Sequence, residues 1–70
     1  MTNTRLLKAK MILNNDTVNE LAKYLGINRQ NASIKINGKR DFKQSEIAKI
    51  AKRYELDSAE VKAIFLELVA

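Results

Sequence analysis

Residues 17–38 read TVNELAKYLGINRQNASIKING, and the spacing of caps, apolar positions and glycines in this stretch decides the fold. Thr17 and Glu20 stand three apart, the spacing of a capping box, in which a hydroxyl takes the amide three residues on and the carboxylate reaches back. Leu21, Ala22 and Leu25 then share one helical face. Gly26 ends the helix, because glycine enters the left-handed conformation of a sharp turn at little steric cost. Ile27 is expected as a buried turn residue. Asn28 is expected to cap a further helix that reaches about Asn37 and stops at Gly38. Two short helices therefore meet at Leu25-Gly26-Ile27, a short turn with glycine at the bend, as a helix-turn-helix requires. The small side chains of Ala22 and Ala32 suit a close crossing.

Outward from this stretch the pattern stays helical. No proline interrupts the chain, and apolar positions recur every three or four residues rather than every two. A first helix is predicted from about Thr4 to Leu13, capped by Asn3 or Thr4, with Leu7 and Met11 inward. Asn14-Asn15-Asp16 breaks it, since these side chains compete for local backbone groups. A fourth helix covers about Gln44 to Tyr54, with Ile47, Ile50, Ala51 and Tyr54 inward. Asp57 and Glu60 repeat the capping spacing and open a fifth, with Val61, Ile64, Phe65 and Leu68 inward. Leu66 and Val69 are left over as a candidate dimer seam. The expectation is an all-α, five-helix single domain over residues 1–70.

Composition narrows the function. At 70 residues the chain buries only about 60% of its unfolded surface, which leaves no room for an enclosed substrate pocket. It has no Cys and no His, so the usual zinc sites, thiol chemistry and Ser-His-Asp triads are unavailable. A general base needs a pocket that shifts its pKa, so an enzyme is not expected, nor a cofactor. No apolar run approaches the roughly 20 residues that span a bilayer, and no signal-peptide core is evident. A cytoplasmic protein is expected. The last helix is acidic rather than Lys-rich, against a membrane-surface role.

Charge is unevenly placed. Residues 1–53 hold 12 basic and 4 acidic side chains, whereas residues 54–70 hold one basic and four acidic, for a net +5. Residues 23–43 alone hold six basic against one acidic. A basic face favours a polyanion, since each neutralised phosphate releases counterions. Asn28, Arg29, Gln30, Asn31 and Ser33 open the third helix and cannot all be core. Arg pairs with guanine O6 and N7, and Asn or Gln with adenine N6 and N7. A merely solvated face is the bland reading of any one of them; the turn, the caps and the flanking cations favour a binding face. Phe42 is expected in the core, and Tyr24 and Tyr54 as packing residues with solvated hydroxyls.

The segment Leu21–Asn28 (LAKYLGIN), with Ala32-Ser33 and then NGKRDF at 37–42, resembles the helix-turn-helix of the lambda-repressor-like, Cro/CI-type (XRE) superfamily. The likeness covers about residues 4–56 and is greatest to short phage proteins with a Lys-apolar-Asn-Gly-Lys pattern followed by Phe. It implies a five-helix domain whose third helix reads the major groove while the second crosses the backbone. Carried onto this chain, Asn28, Arg29, Gln30 and Ser33 meet base edges or nearby phosphates. Lys39 and Arg40 contact phosphate, Lys35 joins them, and Asn37 bonds local backbone or a phosphate. Operator DNA is the implied partner, which would place the protein on the nucleoid of a bacterial host. A homodimer is implied by the palindromy of such operators.

Two positions depart from that pattern. Val18 stands directly after the second helix's cap, where family members often place a phosphate-bonding Gln. Ile34 falls where the third helix usually faces DNA; it meets thymine methyls or, with Val18, forms an apolar contact patch. The size, the opening and the NGK-x-x-F segment are also similar to modulator-of-repression (MOR) proteins. That likeness implies a different partner, the DNA-binding domain of a phage repressor, and an antirepressor role. Both readings remain open at this level.

Overall fold

The computed structural model describes residues 1–65; the expected inward Leu68 and the proposed seam at Leu66 and Val69 lie outside the described residues. These 65 form five helices and no strand: α1 Thr4–Leu13, α2 Val18–Leu25, α3 Arg29–Ile36, α4 Gln44–Arg53 and α5 Ser58–Ile64. No helix among them is long and apolar enough to cross a membrane.

Each helix starts where a side chain can satisfy its orphan amides. Asn3 Oδ1 accepts the Leu6 N–H at 3.2 Å, which makes Asn3 the cap of α1. The alternative cap, Thr4, instead donates its hydroxyl to the Ile36 carbonyl at 2.8 Å and ties α1 to α3. Asn28 Oδ1 accepts the Asn31 N–H at 2.7 Å and opens α3. Asp57 and Glu60 complete a capping box at α5, with bonds of 2.8 and 3.1 Å. The expected box at Thr17 forms by half. Its hydroxyl accepts the Glu20 N–H at 3.2 Å and donates to Glu20 Oε1 at 3.0 Å, while the Thr17 N–H goes to Asp16 Oδ1 at 3.1 Å. Asp16 reaches that amide first because it is the adjacent residue.

The first four helices stop in one way. A residue with positive φ follows each, at Asn15 (56°), Gly26 (75°), Gly38 (78°) and Glu55 (52°). Two crossed backbone bonds close each turn: Asp16 N–H to Met11 O and Asn15 N–H to Ile12 O after α1, with the same pattern after α2, α3 and α4. This is the Schellman arrangement. Glycine adopts it freely at two of the four positions, whereas Asn15 and Glu55 hold it against the steric preference of an L residue.

The helices bury a shared apolar centre. Leu7 and Met11 of α1, Leu21, Ala22 and Leu25 of α2, Ala32 and Ile36 of α3, Ile47 and Ile50 of α4, and Ile64 of α5 are all buried. Ala22 and Ala32 are both buried, in the two helices α2 and α3 that pack against each other. Phe42 is buried as expected and meets Phe65 edge-on, with ring centroids 5.7 Å apart. Ala51 is only half-buried, so the inner stripe of α4 is narrower than its spacing suggests. At the other end the Asn3 N–H donates to the Ile64 carbonyl at 2.7 Å, joining the start of α1 to the end of α5.

Candidate nucleic-acid interface

The candidate face is the exposed start of α3 together with the loop that follows it. α3 is fixed from beneath by buried Ala32 and Ile36, and from the front by the Gly26 turn and the Asn28 cap. That leaves Arg29 and Gln30 exposed at its first two positions, with half-buried Ser33 one turn later. These three line an open cleft of about 390 Å³. Asn28 is exposed beside them, with its side-chain oxygen accepting in the cap and its amide NH2 remaining as a donor group. Asn37 donates to the Ser33 carbonyl at 2.9 Å, so it serves local backbone.

Lys39 and Arg40 follow Gly38 and are exposed. Their loop is held close to the body at both ends. A Cβ on Gly38 would stand 3.4 Å from the Thr4 hydroxyl and 3.5 Å from the Thr2 carbonyl, so the chain's first residues run directly past it. Phe42 anchors the far side in the core. Asp41, the acidic residue of this loop, lies 3.6 Å from the amino terminus.

Lys35 is not part of this face. Its ammonium is buried and bonds both oxygens of Glu46, at 2.8 and 3.0 Å, with side-chain exposures of 8% and 7%. The expected phosphate contact is corrected accordingly, because a cation so enclosed cannot reach a phosphate without breaking a buried pair. Burial acts to raise the Glu46 pKa, but the Lys35 ammonium and the Lys43 N–H outweigh it and hold the carboxyl below its ordinary value. The exposed basic residues around α3 are thus Lys23, Arg29, Lys39, Arg40 and Lys43. Val18 and Ile34, expected as an apolar contact patch, are both half-buried, less open than Arg29 and Gln30, and Val18 packs on the core.

A second ionic cluster went unread in the sequence. Asp16 accepts from Arg53 Nε at 2.8 Å, from Arg53 Nη2 at 2.9 Å and from the Tyr54 hydroxyl at 2.5 Å. The Arg53 guanidinium also lies 4.8 Å from the centre of the Tyr24 ring. Tyr54 is buried with its hydroxyl committed to Asp16, contrary to the expected solvated one, and burial pushes its pKa up. The Arg53 hydrogen bonds hold the Asp16 carboxyl below its ordinary range, against the opposing effect of burial. The cluster ties the α1–α2 turn and Tyr24 of α2 to the end of α4, and so steadies the helix that α3 leans on.

Among the described residues no three of Cys, His, Asp and Glu gather as a metal ion would need. No family model matches the chain, and no curated protein or solved structure matches it.

Proposed function

We propose that the chain is a DNA-binding regulator of the lambda-repressor-like helix-turn-helix kind, of the type that serves a phage's lytic–lysogenic switch. In this reading α3 lies in the major groove, α2 crosses the backbone, and the protein acts by occupancy rather than catalysis. The observation that carries it is the meeting of exposed Arg29 and Gln30 with half-buried Ser33 on one cleft, with exposed Lys39 and Arg40 in the loop that follows the same helix. Arg29 supplies a bidentate donor for guanine, Gln30 a donor and acceptor for adenine, and the loop cations supply phosphate contacts that carry no sequence information. Val18 and Ile34 are half-buried, which leaves less apolar surface for a repressor contact than an exposed pair would offer, whereas Arg29 and Gln30 are exposed; this favours DNA as the ligand.

The test separates base contacts from phosphate contacts. On duplex from the region flanking its own gene, Arg29→Ala or Gln30→Ala is expected to cost about 1–3 kcal/mol and to reduce the preference over unrelated duplex. Lys39→Ala is expected to weaken both duplexes alike and lower the salt slope by about one. Equal losses on both duplexes for Arg29→Ala and Gln30→Ala would contradict base reading by α3. A parent protein that ignores DNA yet co-elutes with the neighbouring repressor would replace this reading with the antirepressor one.

A further inference from the structure

Glu46 holds two ends of one chain segment through a single buried carboxylate. It is the third residue of α4, and one of its oxygens accepts two donors at once: Lys35 Nζ at 2.8 Å and the Lys43 N–H at 2.8 Å. Its other oxygen takes Lys35 Nζ at 3.0 Å. Lys43 cannot cap α4 through its side chain, which has no acceptor; at that helix start Glu46 takes the Lys43 N–H. The two donors belong to the two ends of one segment. Lys35 is on the last turn of α3, Lys43 immediately precedes α4, and between them run Lys39 and Arg40.

A buried ion pair adds little net stability, since desolvation offsets most of the attraction. What it does specify is geometry, because a fully hydrogen-bonded buried carboxylate tolerates few arrangements of its donors. We infer that Glu46 is a positioning residue for the basic loop: by gripping Lys35 and the Lys43 amide together it sets the span of residues 37–43 and so the placement of Lys39, Arg40 and Lys43 toward phosphate. This rests on the nucleic-acid reading for its consequence. It also accounts for why a cation of the third helix is withdrawn from a face that otherwise collects cations.

Two double variants test it, both without a buried lone charge. Lys35→Met/Glu46→Leu removes the ion pair and the acceptor for Lys43; Lys35→Met/Glu46→Gln removes the pair but keeps an amide oxygen for that N–H. In the free protein, the Lys43 amide is expected to exchange with solvent about tenfold faster in the Leu variant and to stay near the parent rate in the Gln variant. With a 20-bp duplex as probe, the Leu variant is expected to bind about tenfold more weakly and lose about one to two units of salt slope, while the Gln variant recovers most of both. Parent-like exchange and parent-like slope in a folded Leu variant would overturn the proposal. So would equal losses in both variants, or faster exchange with the slope unchanged. A parent that binds no duplex would defeat the nucleic-acid reading instead, and the exchange rates would still decide whether Glu46 holds the loop.

Discussion

Asp16 is held by a guanidinium, a phenol hydroxyl and a backbone amide, and its side chain is only 3% exposed. Asp16→Asn keeps the shape but removes the charge that Arg53 meets, and is expected to lower stability by about 2 kcal/mol, read by denaturant unfolding at neutral pH. Because folding depresses this carboxyl's pKa, its contribution is complete above the ordinary value near 3.8 and fades as pH falls through the folded value. The variant is therefore expected to show a shallower stability loss on acidification below pH about 4; an unchanged acid profile would count against this placement of Asp16. Glu55 offers a change of opposite sign. Its φ of 52° is the left-handed region, where glycine is free of the cost of about 1 kcal/mol that an L residue bears. Glu55→Gly is expected to raise Tm by about 4–8 °C, and a fall would show that the Glu55 side chain contributes more than its backbone strain.

At the scale of helices, starts and stops were largely readable, because each is a relation between neighbours. Asn28 with Asn31, Asp57 with Glu60, and Gly26 and Gly38 act across one to three residues, and the sequence displays such spacings directly. The turn that places α3 against α2 was legible for the same reason. Lys35 was not. Nothing local distinguishes it from Lys39: the Glu46 that removes it from the surface lies 11 residues away, in another helix. Asp16 and Arg53 are separated by 37 residues and meet only because α2 and α4 pack around the same centre. The half-burial of Val18 and Ile34 is hidden on a related ground, since the spacing of a short helix does not report how far its neighbours cover its flanks. The prediction proper to this scale concerns α3. Asn28→Ala is expected to cost about 1 kcal/mol through the lost cap, observed as a lower Tm; a stability equal to the parent's would mean that packing alone fixes the start of the helix.

Over the whole molecule the surplus of five positive charges has a location. Residues 23–43 balance at +5, equal to the whole surplus; Glu46 neutralises Lys35 within the core, and Lys10 is paired with Glu60 between α1 and α5. What remains exposed over residues 23–43 is five cations against the single carboxylate of Asp41, on a frame measuring 27 × 23 × 20 Å, small enough to seat on one face of a duplex. Rigidity of that frame matters to the proposed function, because base reading needs α3 and the phosphate-binding loop at a fixed separation. The most direct measurement is the anisotropy of a labelled duplex from the DNA flanking the gene, titrated with the parent protein over a range of salt concentrations. Three phosphate contacts, from Lys39, Arg40 and Lys43, give an expected slope of log K against log salt of about −3, with that duplex preferred over an unrelated one. No binding at low salt, or binding that salt leaves unchanged, would contradict the assignment of this face to DNA.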